Sequence, residues 1–348
     1  MNRDNWMSIC TSFKDLFELL GNNHEELSSL SRFTKNDVTE LNQLIVAQKN
    51  HNGWFTEEIV RKALLGLSEM INSKDLTNWL TNYTFTENPK KVLLIMAGNI
   101  PLVGFHDLLC VWLSGNHAQI KLSSDDKTLL PAILELVSEI HPEIKSYYTI
   151  ESGKIEHSEA VIATGSDNSN LYFEKYFGHL PSLFRKNRTS IAVIQGNETK
   201  TDLFNLGLDI FHFFGKGCRN VSYMLIPEHF NLNDFFEAIL PYYEIVNHKK
   251  YGNNYDYNRA ILLLNQETFL DNNFVIVKES DKLFSPISMI HFSRYKDDSE
   301  ISEFIQKNED NIQIILGKNY IPFGQGQHPR IWDYADGIDT MKWLNTLS

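Results

Sequence analysis

From Pro89 onward strand-like and helix-like segments alternate along the chain. KVLLIMA is a continuous apolar run, HAQIKLS reads as the next strand, SYYTIES and AVIATGS supply two more with a helix over 171–177 after the second, and SIAVIQG closes the set. A strand that is apolar at every position is buried on both faces, a condition met in a parallel sheet covered by helices on each side. Regular strand–helix alternation therefore predicts an α/β fold with a doubly wound parallel sheet over 90 to about 195. The helix after KVLLIMAGNI is expected to open at Pro101 and run through Trp112. Asp125 or Asp126 is expected to cap the next helix, toward Ile140. A second α/β cycle follows: a helix over 203–213, the strand VSYMLIP, a helix over 232–240, the runs ILLLN, FVIVKE and ISMIHF, a helix near 302–306, and IQIILG. The joint falls near 196–201, and the Asn/Asp-rich pieces 252–257 and 271–273 read as surface turns. Before Pro89, apolar residues stand at helix spacing, as in Leu41, Leu44 and Ile45 or Ile59, Ala63, Leu67 and Met70, so the first part of the chain reads as helical.

Bulk properties exclude several classes. A length of 348 residues suggests about two domains. A net charge of -12 argues against nucleic acid, whose phosphates want a basic face. Cys10, Cys110 and Cys218 are widely spaced and form no CxxC pair, so neither a disulfide framework nor a thiolate zinc site is expected. No HExxH, P-loop, GxGxxG or GxSxG motif is present, and no metal is expected. The most apolar stretch is interrupted by Asn99 and Pro101 and is too short to span a bilayer, and the start MNRDNWMSIC lacks a long apolar core. The expectation is a soluble protein of the cytoplasm, with no membrane span.

Cys218 is the residue with the most chemistry in its surroundings. It lies in FFGKGCRNVSYMLIP, behind Gly215 and Gly217, which leave room over the sulfur, and between Lys216 and Arg219, whose charges favour thiolate over thiol. The competing reading is a buried structural cysteine.

Taken in order, AGNIPLVG, SGNHAQIKLSS, ATGS, GKGC and LFSPI resemble the aldehyde dehydrogenase superfamily, and within it the acyl-CoA reductase family, relatives of the fatty acyl reductases of bacterial bioluminescence. The ending PFGQGQHPRIWDYADGIDTMKWL is also similar to the tail of such reductases. The resemblance implies an aldehyde dehydrogenase-like fold divided into an N-terminal helical segment over 1–88 packed on the cofactor domain, a nicotinamide-binding α/β domain over 89–196, a catalytic α/β domain over 197–320 and a C-terminal tail over 321–348. It implies a nicotinamide cofactor bound without a GxGxxG fingerprint. NADPH is expected, with NADH not excluded.

The resemblance also supplies roles. Cys218 becomes the nucleophile, and Asn99 donates its amide to the oxyanion formed at the thioester carbon; a polar strand terminator is the plainer reading of Asn99. Lys121 contacts the adenosine ribose, with Ser123 and Ser124 tuning preference at the 2′ position. Thr164, Gly165 and Ser166 approach the pyrophosphate at a helix N-terminus. Gly196 is expected among the cofactor residues, and Phe284, with Pro286, borders the nicotinamide ribose. Gln195 is aligned where the aldehyde-oxidising branch carries its water-activating glutamate, with Glu198 three positions on. These roles imply reduction of an acyl-CoA to the aldehyde through a cysteine-bound acyl-enzyme and a thiohemiacetal. The alternatives are an aldehyde dehydrogenase running toward the acid, or a non-catalytic nucleotide- or acyl-binding scaffold. Superfamily members usually dimerise through a projecting hairpin, so a homo-oligomer is implied, although no segment here reads as that hairpin.

Overall fold

The structure, a computed structural model, describes residues 3–23, 32–153, 155 and 157–347. The chain divides into two units. One holds the residues up to Asn187 and those from His328 on; the other is Arg188–Gln327.

The first unit opens with helices α1 (Arg3–Gly21), α2 (Lys35–His51), α3 (Glu57–Met70) and α4 (Ser73–Leu80). Trp6, Ile9, Phe13, Leu16, Phe17 and Leu20 recur at helix spacing and are buried along one face of α1. Strand β1 (Lys91–Ile95) follows, then α5 (Phe105–Leu113), β2 (His117–Lys121), α6 (Leu129–Ile140), β3 (Tyr148–Ile150), β4 (Ala160–Thr164), α7 (Asp167–Phe177) and β5 (Ser182–Arg185). The α1 stripe packs on α5, with Trp6 stacked on Trp112 at 5.5 Å and Phe13 edge-on to Phe105 at 5.2 Å. Each such aromatic pair adds about 0.5–1.5 kcal/mol to area burial. The helical segment is thus part of the core that carries the first sheet.

That sheet is parallel throughout, in the order β3-β2-β1-β4-β5. The chain moves outward from β1 to β2 and β3, then returns to β4 on the other side of β1. The crevice outside the carboxyl ends of β1 and β4 is therefore the switch point at which open α/β sheets bind ligands. Arg185, at the end of β5, is buried and donates to Asp107 Oδ1 (2.8 Å), Thr340 Oγ1 (2.7 Å) and the Ala335 carbonyl (2.7 Å). It ties α12 (Thr340–Asn345) and the preceding chain into the first unit.

The second unit contains β6 (Thr189–Val193), α8 (Lys200–Phe211), β7 (Val221–Pro227), α9 (Leu232–Ile239), α10 (Lys249–Leu264), β8 (Leu270–Asp271), β9 (Ile276–Glu279), β10 (Met289–Tyr295), α11 (Asp298–Asn308) and β11 (Ile312–Gly317). Its sheet runs β11-β6-β7-β10-β9-β8, with only β8 antiparallel. The fold is the expected one: α/β, two parallel-sheet domains and an N-terminal helical segment.

Several boundaries differ from expectation. SIAVIQG does not close the first sheet; β6 pairs with β7 and β11, which moves the division from 196/197 to 187/188. The tail is divided as well, residues 321–327 remaining with the second unit and those from His328 returning to the first. The four apolar residues of ILLLN and 252–257 fall inside α10, because Tyr251, Tyr255, Asn258 and Leu262 form a buried helical stripe while Leu263 and Leu264 stay exposed. Helix α5 begins at Phe105 rather than Pro101, since Leu102 is left-handed at φ 56°. Neither Asp125 nor Asp126 caps α6, whose N-cap is Thr128; Asp126 accepts from the Leu102 amide instead.

Candidate active site

In the first unit, strand register gathers the expected cofactor residues at one edge. Ile95 lies beside Lys121 on one side and Ala163 on the other, so the loops beginning at Met96, Leu122 and Gly165 leave the sheet level with one another. Asn99 is half-buried in the first of these loops, and Ser123 and Ser124 lie in the second. Thr164 ends β4, Gly165 and Ser166 form the third loop, and Ser166 caps α7 by accepting from the Ser169 amide at 3.3 Å. The first two loops touch, for a Cβ on Gly98 would stand 2.6 Å from Ser123 Oγ.

This edge presents hydrogen-bond donors of several kinds, with Lys121 Nζ 3.4 Å from the Gly153 carbonyl. The α7 N-terminus offers backbone amides to a pyrophosphate. Lys121 and the Ser123 and Ser124 hydroxyls offer donors to a ribose or its 2′-phosphate. Of the two neighbouring acids, Asp126 is turned inward: it is 6% exposed, with Oδ2 held 2.7 Å from the Leu102 amide. Its Oδ1 finds no hydrogen-bond partner among the described residues, and burial raises its pKa to about 6.

In the second unit, Cys218 occupies the turn between α8 and β7 and is exposed, whereas Cys10 and Cys110 are buried. Burial pushes the Cys10 thiol up to about 12 and Cys110 well above its ordinary value, so neither ionises near neutrality. The approach to Cys218 is left-handed over three consecutive residues: Phe213 (φ 51°), Phe214 (φ 57°) and Gly215 (φ 74°). For each phenylalanine that conformation costs about 1–2 kcal/mol, and it persists only where packing over-determines it. Phe213 is buried, and Phe214 stacks on His248 with centroids 4.2 Å apart. Asn220 closes the turn, its Oδ1 accepting from the Gly217 amide at 2.8 Å. Ser190 Oγ donates to the Cys218 carbonyl at 2.9 Å.

Phe284 lies at the same end of the sheet. Ser285 Oγ donates to the Ser222 carbonyl (3.0 Å), and Ser222 Oγ donates to the Leu283 carbonyl (3.3 Å), bracing 283–285 against the start of β7. Both loops border a cavity of about 30 Å³, lined by Phe214, Gly215, Val221, Tyr251 and Pro286 among others. It has room for a water or two, not for an acyl chain.

Gly196 does not join them. It follows the carboxyl end of β6, where a Cβ would strike His229 and Pro227, while Cys218 precedes the amino end of the parallel neighbour β7. Roughly 20 Å of strand separates the two ends. The alignment of Gln195 with a water-activating glutamate therefore fails on topology, and Glu198 is equally remote. Both Glu198 oxygens accept from its own loop, from the Gln195 amide at 2.7 Å and the Gly196 amide at 2.8 Å. Gly196 shapes this turn (φ 89°) and has no part in gathering the site.

Asn220 and Asp209 were not singled out in the sequence, although both hold the cysteine turn. An asparagine two residues past a cysteine carries no motif of its own. Its contacts with α8 arise only on folding.

A family model described as acyl-CoA reductase (LuxC) matches residues 8–218. No curated protein sequence matches the chain. Among solved structures, aldehyde dehydrogenase 21 from Physcomitrella patens is similar with a TM-score of 0.63 at 10% identity, covering 97% of this chain and 84% of that one. The acetylating aldehyde dehydrogenase from Geobacillus thermoglucosidasius gives 0.57 at 13% identity, over 91% and 76%. The P. syringae indole-3-acetaldehyde dehydrogenase AldA, solved with NAD+ and IAA, gives 0.62 at 11% identity, over 89% and 71%. At these identities the likeness shows the fold, which is that of the aldehyde dehydrogenases. No helix among the described residues is long and apolar enough to cross a membrane.

Proposed function

The chain belongs to the acyl-CoA reductase (LuxC) family, oxidoreductases working at the aldehyde level, and from that premise we propose that it reduces an acyl-CoA thioester to the aldehyde with NADPH. The observation that carries this reading is the exposed thiol of Cys218, held in a strained turn while the other two cysteines are buried. Cys218 Sγ attacks the thioester carbonyl as thiolate, the C–S bond to CoA breaks, and CoA departs as its thiolate, leaving the acyl group on the enzyme. Asn99 donates its side-chain amide to the oxyanion, a role carried by the resemblance. A bound reduced nicotinamide supplies the hydride. Cys218 then leaves the resulting thiohemiacetal as thiolate, releasing the aldehyde and regenerating itself for the next turn.

The residues that would hold the cofactor are Lys121, Ser123 and Ser124 toward the adenosine ribose and Thr164, Gly165 and Ser166 toward the pyrophosphate; Phe284 borders the nicotinamide ribose. NADPH is favoured because the resemblance sets Lys121, Ser123 and Ser124 toward the 2′ position and Asp126 is withdrawn onto Leu102, while Asp125 stays exposed beside them. The test is a comparison of the two directions. Acyl-CoA with NADPH should turn over with release of free CoA, whereas aldehyde with NAD+ in the absence of CoA should yield little acid. Efficient acid formation without CoA would overturn the assignment.

A further inference from the structure

Around Cys218 there is a set of hydrogen bonds that the chemistry above does not use and that no motif announces. Asn220 is 2% exposed and bonds in four directions. Besides taking the Gly217 amide, its Nδ2 donates to the carbonyls of Asp209 (2.9 Å), His212 (2.8 Å) and, at longer range, Ile210 (3.4 Å). Those carbonyls lie at or just past the end of α8, where a helix leaves its acceptors without intrahelical partners. One side chain therefore caps the helix and closes the cysteine turn together.

Asp209 continues the set. It is fully buried, and its carboxylate accepts from the Gly324 amide (2.6 Å) and the Gly326 amide (2.8 Å) of the PFGQGQ loop. That loop reaches back: Arg219 Nε donates to the Gly326 carbonyl (2.6 Å), and Gln327 Nε2 donates to the Arg219 carbonyl (3.0 Å). Gly326 has no alternative here, since a Cβ would stand 2.7 Å from Asp209 Oδ1 and 3.0 Å from Leu316 Cδ2. The residues on either side of Cys218 are thus gripped from two directions, Gly217 by Asn220 and Arg219 by the PFGQGQ loop.

We propose that Asn220, Asp209 and Gln327 are positioning residues forming one latch, which holds the Cys218 turn in its left-handed approach and so aims the thiol. The proposal rests on the reading of Cys218 as nucleophile. It adds that the PFGQGQ segment, more than a hundred residues away in sequence, belongs to the same device. A thiol released from this geometry should react with iodoacetamide as an unconstrained cysteine does.

The test uses the full-length protein and two readouts, the rate of iodoacetamide alkylation at Cys218 and the kinetics of acyl-CoA reduction. In Asn220→Ala, the alkylation rate of Cys218 should fall toward that of an unconstrained cysteine. Its kcat should fall about 10²-fold, the scale of a misplacement near 1 Å, and KM for acyl-CoA should change less than about threefold. Gln327→Ala, half-buried and outside the sheet, should lower kcat about tenfold in the same pattern. Thermal melting shows whether each variant is folded. If Asn220→Ala does not fold, Gln327→Ala decides. A folded variant with the wild-type alkylation rate and wild-type kcat overturns the latch, even where its Tm is lowered. If wild-type protein forms no acyl adduct while Asn220→Ala still slows alkylation, the latch stands and the acyl-CoA reading falls.

Discussion

At the carboxyl edge of the first sheet, Asn99, Lys121 and Ser166 each lie within a few residues of a strand end, and the register of three neighbouring parallel strands brings them level. Around Cys218 the geometry is held by residues 209, 220 and 324–327, and the thiol stands before its strand, not after it. The first arrangement follows from local sequence and the sheet order. The second exists only once distant segments have met. Changes at the edge should therefore alter cofactor or transition-state binding while leaving thiol reactivity unchanged. Changes in the latch should do the reverse.

The comparison can be broken first at Asn99. Asn99→Ala should lower kcat by about 10²–10³-fold, the usual loss for one oxyanion donor, with the alkylation rate of Cys218 unaltered; a parallel loss of alkylation would show that Asn99 supports the thiol itself. A smaller effect is expected at Lys121. Lys121→Ala should raise KM for NADPH about tenfold, equivalent to roughly 1.4 kcal/mol, and KM for NADH less, as steady-state kinetics with both cofactors would reveal. Equal losses would remove the 2′-phosphate argument.

The smallest expected effect on turnover is at Asp126, where the prediction concerns stability. Burial raises its pKa to about 6. Between roughly pH 4 and 6 the native protein therefore keeps a proton that the unfolded chain has lost. The stability this confers is fully present below about pH 4 and is lost as pH rises through 6, a change on the order of 3 kcal/mol. Asp126→Asn should stabilise the protein by on the order of 1–3 kcal/mol at pH 8 and by almost nothing at pH 4, measured by urea unfolding at both pH values. Equal stabilisation at both would mean the carboxyl is not strained by its burial.

The same contrast governs what could be read from the sequence. Strand-like runs alternating with helical segments announced the α/β layout, and the motifs of the resemblance stand next to strand ends that register brings to one edge. The cysteine turn was visible through its glycines and flanking cations. Gly196 and Gln195 were misplaced because SIAVIQG, an apolar strand like its predecessors, carries no local sign of which sheet it joins. ILLLN read as a strand because its four apolar residues are contiguous, while the helical stripe that decides the matter begins at Tyr251. Asn220 and Asp209 were silent for a different reason: their partners are backbone groups, which any sequence supplies.

The account depends above all on Cys218 accepting an acyl group from CoA. Mixing the protein with acyl-CoAs of graded chain length, without reductant, and measuring its intact mass tests this directly. A single acyl increment should appear, map to Cys218, be absent in Cys218→Ala and disappear when NADPH is added. An unmodified mass with every acyl-CoA, or an adduct that persists in Cys218→Ala, would contradict it.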